Sequence, residues 1–520
     1  MSITGDLSLG FSQALQPGNV LAAGAGAFVG TAVGVLPGIG PLAVMAIMLP
    51  LTLKMGTMPA LALLGGLYYG SQYGDSMAAI LVNVPSEAPA IVIARDGYAM
   101  TREGQAGPAL AIAGVSSFIG ATIGLVGLSL LVIPLSNLAT SFTPEDYAAL
   151  AVVGLVVLPR ISGGNLPKAL VGIGLGLALA TVGTDPITSS TRFTFGSIDL
   201  TEGINLAPLA VGLFGMSEVL SQVATRSGWP KAPRVSMRQA MPTRQQWKDA
   251  LPAAGRGSIV GFFLGALPGP SLILGSFSSH ALETWLRKRD DAKGPLPGEH
   301  QAKRRVQGVA GPKAADDAAV GGNLIPLLTL GIPFTGITAV LLAAFLLHNV
   351  HPGPQFVQTD PAIFWGLVVA MYLGNIMLVV LNVPLAGLWI KLLNVPASIR
   401  LGVLVSIMTV GVYSIRDSMF DVWTLFVFGL VGFGLRSVGI NRAYLILGFV
   451  LSPIIEANVI RALQLSGGST TIFLSSPVSA VAVSALVLVL VVPSAFRLAV
   501  RGRRRAEAPV PRSSAPSARS

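Results

Sequence analysis

The chain contains no cysteine among its 520 residues and only four histidines. A disulfide framework, an iron–sulfur cluster, a cysteine nucleophile and a thiolate zinc site are thereby excluded. Four histidines leave little for an imidazole metal centre. Charge is scarce too: Asp, Glu, Lys and Arg make up 11% of the residues, against roughly 25% in a soluble globular chain. No Lys or Arg precedes Lys54, so the basic n-region of a cleaved secretory signal is missing and none is expected. The 61 glycines follow no Gly-X-Y repeat, which excludes collagen, and 52% hydrophobic content excludes disorder. What remains is apolar sequence in stretches of bilayer length, the mark of a polytopic membrane protein.

The formal net charge of +11 invites a nucleic-acid reading, which its distribution rejects. Seven Lys and Arg lie in residues 226–256, seven in 287–305 and seven from Arg497 onward. Each run abuts long apolar segments, and none carries the interleaved aromatics of a base-stacking surface. They read as cytoplasmic stretches obeying the positive-inside rule. Residues 503–520, rich in Arg, Pro, Ala and Ser, read as a disordered cytoplasmic tail.

Several apolar segments are too short for a simple span and three are far too long, the long ones broken by Gly and Pro. A search for self-similarity explains the breaks. Gly34-Val-Leu-Pro-Gly38 recurs as Gly265-Ala-Leu-Pro-Gly269, and Ile80-Leu-Val-Asn-Val-Pro85 as Leu328-Thr-Leu-Gly-Ile-Pro333. Gly120 then pairs with Gly374, and Thr143-Pro144 with Val395-Pro396. The offset grows from 231 to 248 between the first two landmarks, consistent with a basic loop, 287–305, inserted in the second copy. Loop charge alternates between the copies: Lys54 alone against seven Lys and Arg, Arg95 and Arg102 against none in 351–361, none in 136–146 against Lys391 and Arg400. By the positive-inside rule the halves lie upside down relative to each other, as in secondary transporters.

The expected fold is therefore all-α and polytopic, with two inverted-topology repeats, re-entrant hairpins, broken helices and roughly 10–14 membrane segments. Pro37-Gly38 and Pro268-Gly269 are placed near the hairpin tips. The division is 1–19 N-terminal segment, 20–222 first repeat, 223–256 basic cytoplasmic linker, 257–475 second repeat, 476–496 extra transmembrane helix and 497–520 tail.

The densest polar cluster in an apolar context is Tyr68-Tyr-Gly-Ser-Gln-Tyr-Gly-Asp-Ser76 with Asn83-Val-Pro-Ser-Glu87. Its counterpart is Asp316-Asp317, Gly321-Gly-Asn323 and Thr329-Leu-Gly-Ile-Pro333. An ionised carboxylate at the bilayer centre costs about 3 kcal/mol on insertion scales, so Asp75, Asp316 and Asp317 should be paired, neutralised or bound to a cation. Asp75, Asn83, Asp316, Asp317 and Asn323 are the candidate cation ligands, for Na+ or H+; no other metal and no cofactor is expected. The candidate substrate-binding residues are Pro37, Gly38, Ser71, Ser76, Asn83, Pro85, Ser86, Pro268, Gly269, Ser271, Asn323, Thr329, Gly331 and Pro333. Pro85 and Pro333 break helices, and the half-helix N-termini so exposed favour a carboxylate. Glu218 reads as a helix-end residue, and Glu456 with Arg461 as a loop ion pair.

At these residues the sequence resembles the large membrane subunit of tripartite tricarboxylate transporters, the TctA-like permeases. The carrying segments are Gly34-Val-Leu-Pro-Gly-Ile-Gly-Pro41, Tyr73-Gly-Asp-Ser-Met-Ala-Ala-Ile-Leu-Val-Asn-Val-Pro-Ser-Glu87, Gly321-Gly-Asn-Leu-Ile-Pro-Leu-Leu-Thr-Leu-Gly-Ile-Pro333 and His351-Pro-Gly-Pro354. The resemblance covers about residues 24–477. It implies gradient-driven uptake of small carboxylates such as citrate across the bacterial inner membrane. It also implies two partners, a small TctB-like membrane subunit and a periplasmic TctC-like solute-binding protein. A homodimer and an elevator-type mechanism are compatible with it.

The sequence departs from the family pattern where Asp75, Ser86, Lys313, Asp316-Asp317 and Phe334 stand. Extra acids beside an anion site repel a tricarboxylate unless cations or Lys313 compensate, so an acid smaller or less charged than citrate is an equal candidate. Two alternatives are a passive anion channel and an intramembrane aspartyl protease. For the second, Asp75 follows Tyr73-Gly74 but position 72 is Gln, and neither His-Glu-x-x-His nor Gly-x-Ser-x-Gly occurs. No Walker motif occurs either. The chain reads as a transporter rather than an enzyme.

Overall fold

Proline and glycine divide the long apolar runs into helices shorter than the runs themselves. The computed structural model describes residues 3–36, 39–161, 165–185, 189–225, 241–267, 269–291, 297–393 and 395–488. The first half comprises α1 (Ile3–Ala14), α2 (Pro17–Gly34), α3 (Pro41–Thr52), α4 (Thr57–Val82), α5 (Ala88–Arg102), α6 (Ala106–Ala139), α7 (Pro144–Ile161) and α8 (Leu166–Ala180). It closes with α9 (Leu206–Ala210), which widens into a π turn at Val211–Met216 and ends as α10 (Ser217–Thr225). The second half comprises α11 (Arg244–Gly265), α12 (Ser271–Asp291), α13 (Pro297–Leu330), α14 (Gly336–Leu347) and the short α15 (Phe356–Thr359). It continues with α16 (Pro361–Leu393), α17 (Ala397–Arg416), α18 (Met419–Ser437) and α19 (Arg442–Leu465), and α20 (Pro477–Leu488) follows. Among the described residues the only strands are a two-residue antiparallel pair, Gly183–Thr184 with Thr191–Arg192.

Six of these helices are long and apolar enough to cross a bilayer: α6, the α9–α10 unit, α16, α17, α18 and α19. The protein is an all-α polytopic membrane protein. Its helix ends follow from local chemistry. Proline opens α2, α3, α5 and α8 at their first turns, where a missing N–H costs nothing. Asn83, left-handed at φ 56°, ends α4, and Gly331, at φ 71°, ends α13. Pro85 and Pro333 follow two residues later, and the chain stays non-helical until α5 and α14 begin.

Small residues set how the helices pack. A Cβ on Gly30 would lie 2.6 Å from the carbonyl oxygen of Leu67, and one on Gly265 would lie 2.5 Å from that of Ala319. Gly26, Gly30 and Gly34 step along α4 at Leu63, Leu67 and Ser71 with one constant shift, so α2 and α4 run parallel. Gly257, Gly261 and Gly265 step in the same way along α13 at Gly311, Ala315 and Ala319. Backbones this close have lost the room for any larger side chain, the usual basis of helix association in lipid. Because α2 and α4 run parallel, α3 returns between them, and the turn before α3 sits beside Ser71 and Gly74, roughly 20 Å along α4 from its first residue.

Two further contacts cross between the halves: Gly120 of α6 lies on Ala314 of α13, and Gly374 of α16 on Gly66 of α4. The helices α4 and α13 themselves meet head to tail. Lys313 reaches the Gln72 carbonyl, whereas Asn323, ten residues further along α13, faces Tyr68, earlier on α4.

The basic stretch 287–305 is not the loop expected: α12 continues to Asp291 and α13 begins at Pro297. Lys, Arg, Gln and Ala are good helix formers, and a soluble helix extension carries them as well as a loop does. Similarly, α11 starts at Arg244, inside the stretch read as linker, behind a Thr243–Gln246 capping box. Residues 226–240, the tail 497–520, and the end of the 476–496 segment beyond Leu488 lie outside the described residues.

Candidate substrate cavity

The two helix breaks face one another across a cavity of about 510 Å3, a size suited to a small organic ligand. Its lining includes the first residues of five helices: Gly40, Leu42 and Ala43 at α3, Ser86 to Pro89 at α5, Ser271 to Ile273 at α12, Thr335 to Ile337 at α14, and Asn441 to Tyr444 at α19. Each N-terminus carries about half a positive charge and unsatisfied amide donors. Side chains cap two of them, Thr335 through a capping box on α14 and Asn441 on the Ala443 amide. The N-cap residues of α3 and α5, Gly40 and Glu87, provide no cap of their own, but the Glu87 carboxylate accepts from the Leu42 amide in the first turn of α3. The Glu87 side chain closes over Gly40, where a Cβ would meet its Oε1 at 3.1 Å.

A charged network also lines the cavity, through Glu218, Arg436 and Arg442. Arg442 reaches Glu218 at 3.6 Å, donates to the Leu213 carbonyl at 3.3 Å and to Ser217 Oγ, and lies 5.7 Å from the Phe214 ring centre. Arg436 pairs with the same Glu218 carboxylate at 2.6 Å. Leu213 and Phe214 sit in the π turn, a local widening often found at functional sites.

Behind the α5 terminus, Asp75 is 3% exposed and accepts from the Ser86 amide at 2.6 Å and the Glu87 amide at 3.2 Å. It thereby occupies backbone donors beside the cavity. Deeper, between α4 and α13, Lys313 is wholly buried and ion-paired with Asp317 at 2.9 Å and with Asp316 at 3.5 Å. Its ammonium also reaches the Gln72 carbonyl at 3.4 Å. The Gln72 side-chain amide and Asp316 Oδ1 are buried with no hydrogen-bond partner, a combination typical of a place that takes up a water or an ion. Three buried carboxylates share one ammonium here. Yet among the described residues no three acids or histidines are grouped as a metal site.

The sequence-derived candidates are therefore spread over three places. Pro85, Ser86, Gly269 and Ser271 line the cavity. Asn323 stands directly behind, its Oδ1 accepting from Ser271 Oγ at 2.7 Å. Asp75, Asp316 and Asp317 belong to the buried charge cluster. Ser71, Ser76 and Thr329 direct their hydroxyls to carbonyls of their own helices, Tyr68, Gln72 and Ile325. Gly331 and Pro333 are buried in the second break, Gly331 against the Pro352 carbonyl. Asn83 is exposed at the end of α4 and is not brought together with the acids. Pro37, Gly38 and Pro268 lie outside the described residues.

Reading the sequence alone missed Arg436, Arg442, Asn441 and Thr335, and set Glu218 aside. The available signal was weak: an Asn-Arg pair opening an apolar helix at 441–442, and a Thr three residues before another Thr at 335–338. Glu456 pairs with Arg192 at 2.7 Å rather than with Arg461.

A protein of Agrobacterium vitis described as an uncharacterized 52.8 kDa protein in the TAR-I ttuC' 3' region is 41% identical over 483 residues, covering 92% of this chain and 94% of its own. A second, described as an uncharacterized protein in the TAR-II ttuC' 3' region of the same organism, is 41% identical over 220 residues, 42% of this chain and 88% of its own. No solved structure matches the chain. The family model of the tripartite tricarboxylate transporter TctA family matches residues 20–447, and the chain, a multi-pass transporter component and not an enzyme, belongs to that family.

Proposed function

We propose that this subunit imports a small di- or tricarboxylate across the bacterial inner membrane by secondary active transport, with a periplasmic TctC-like binding protein delivering the solute and a TctB-like subunit beside it. The observation that carries the reading is the convergence of five helix N-termini and Arg442 on one cavity. Amide donors and macrodipoles aimed into a half-enclosed space favour a carboxylate without a matching cluster of mobile cations. Glu87 and Glu218 on the same walls disfavour a high substrate charge, which supports an acid smaller or less charged than citrate.

The coupling ion is assigned to the α4–α13 cluster, with H+ favoured over Na+. Asp316 and Asp317 face the Lys313 ammonium rather than an open cage of oxygens. Asp75 instead holds the Ser86 and Glu87 amides. Protonating it weakens both bonds and frees those donors at the rim of the cavity as substrate arrives, which links the two fluxes.

Two inverted repeats complete the proposal. The antiparallel meeting of α4 and α13, with the exchanged Gly120–Ala314 and Gly374–Gly66 contacts, supports a two-fold relation in which the α2–α3 and α11–α12 pairs are re-entrant hairpins. Alternating access then follows from one group of helices moving against the other. Counterflow tests the function: proteoliposomes holding the chain and its partner subunits, preloaded with unlabelled dicarboxylate, should transiently accumulate labelled acid. Equilibration without overshoot would mean a channel instead.

A further inference from the structure

Buried polar atoms without a hydrogen-bond partner recur along the crossing of α4 and α13. They are the Tyr68 hydroxyl, both ends of the Gln72 side-chain amide, Asn323 Nδ2 and Asp316 Oδ1. All four side chains are enclosed, Asp316 being the most exposed of them at 4%. Tyr68 and Gln72 stand one turn apart on α4 and therefore share a face. Asn323 and Asp316 stand two turns apart on α13, about 10 Å along the helix. The two pairs oppose each other: Asn323 faces Tyr68, and the Lys313 ammonium, 3.5 Å from Asp316, reaches the Gln72 carbonyl. One end of this line meets the substrate cavity, because Ser271 on the cavity lining donates to Asn323 Oδ1 at 2.7 Å. The other end is Asp316. The titratable groups around Asp316 are Lys313 and Asp317 on its own helix, Asp75 and Tyr68 on α4, and Glu87 at the cap of α5.

Donors and acceptors buried together without closing a bond are costly unless water joins them, and a buried water typically needs about three polar partners. Tyr68 and Asn323 offer such partners to one water, and the Gln72 amide and Asp316 Oδ1 offer them to the next. Roughly three hydrogen-bonded waters span the distance from Asn323 to Asp316. We propose that a chain of bound water runs from the substrate cavity past Asn323, Tyr68 and Gln72 to Asp316 and carries protons to the acid–lysine cluster. The proposal rests on the H+ reading given above and supplies the route that reading lacks. Hydronium at the cavity gives a proton to the first water. The Tyr68 hydroxyl passes its own proton on as it accepts another, and the Asp316 carboxylate ends as the acid, with every water restored. Tyrosine suits the relay because its hydroxyl both donates and accepts, whereas the Asn323 and Gln72 amides hold water in place. Intramembrane acids in pumps and transporters depend on such relays.

X-ray radiolysis of the full-length chain in dodecyl maltoside provides the test, because radicals made from a bound water oxidise the side chain beside it. Tyr68 should be oxidised, and oxygen-18 from the solvent should appear in the product. Tyr73 is the internal control: it lies on α4, is 1% exposed, and its hydroxyl already donates to the Leu110 carbonyl at 3.3 Å. Asn323→Leu, which replaces the amide by hydrocarbon of similar size, should lose the Tyr68 label while the exposed Trp423 is labelled as before. Equal yields at Tyr68 and Tyr73 overturn the water chain. Oxidation of Tyr68 that is abolished by sodium chloride but not by choline chloride overturns it in favour of a bound Na+, and the H+ reading with it. The footprint is read without substrate, so it stands or falls separately from the transport reading. Tyr68→Phe tests the proton role in proteoliposomes with the partner subunits, using a labelled dicarboxylate that the unsubstituted chain accumulates. Uptake driven by a pH gradient should fall about tenfold or more, while exchange without a gradient persists. Undiminished gradient-driven uptake in Tyr68→Phe overturns the proton path.

Discussion

Arg442 meets a carboxylate, a backbone carbonyl, a hydroxyl and an aromatic face at once, and its α19 terminus still opens on the substrate cavity. A residue so placed can hand part of its charge to an incoming acid without itself moving. Arg442→Gln should lower uptake at least tenfold, since a charge-assisted hydrogen bond contributes about 1.5–3 kcal/mol, while membrane insertion stays normal. Uptake assays alongside a surface-expression blot check this. Asp75→Asn should abolish the dependence of uptake on the proton gradient yet still allow exchange of labelled for unlabelled acid. Unchanged gradient-driven uptake would remove Asp75 from the coupling step. Lys313 has a structural stake as well. Lys313→Met leaves Asp316 and Asp317 buried without a counter-ion, a loss of about 3–5 kcal/mol. The midpoint of thermal unfolding in detergent should fall accordingly, and the second change Asp317→Asn should restore much of it.

The paired helices depend on glycine for a reason that is steric. Along α2–α4 and α11–α13, Gly26, Gly30, Gly34, Gly66, Gly70, Gly257, Gly261 and Gly265 each face a backbone carbonyl, which cannot turn aside as a side chain would. Gly265→Val therefore forces α11 away from α13 at the level where α12 begins. The expected cost is about 1–3 kcal/mol, read as a lower unfolding midpoint. Gly255→Val serves as the control, because nothing lies within 4 Å of that position. Proline and left-handed residues act at the other end of the same design. They stop α4 and α13 where the chain must open towards the cavity, so breaks that look like defects in an apolar run carry the amide donors of the site.

At the scale of the whole molecule, the proposed inversion draws on two separate supports, contact registers and loop charge. The starts of α4 and α13 lie at opposite ends of their crossing, while α16 begins beside the start of α4, where Gly366 meets Met58. Cysteines placed at Lys54 and Thr359 should thus be labelled by an impermeant maleimide from outside, and one at Gln301 only after permeabilisation. The absence of native cysteine makes the background clean. Labelling of Lys54→Cys and Gln301→Cys from the same side would contradict the inversion.

Sequence alone determined the features that depend on local chemistry. The apolar runs and sparse charge required a membrane protein, the Pro and Gly landmarks marked where helices break, and the Asp75 and Asp316–Asp317 segments declared themselves because acids are costly in lipid. It also supplied the family, through motifs whose spacing is read in one dimension. Tertiary structure alone decided which of those residues meet. Ser86 and Ser271 reached the cavity, Asn83 did not, and Lys313 became the partner of two acids. Arg436, Arg442 and Glu218, about 130 to 360 residues away from the Asn-Val-Pro break, joined its wall. Helix breaks are written in neighbouring residues, whereas a site shared by five helix ends depends on packing registers spread over the whole chain, which no local pattern encodes.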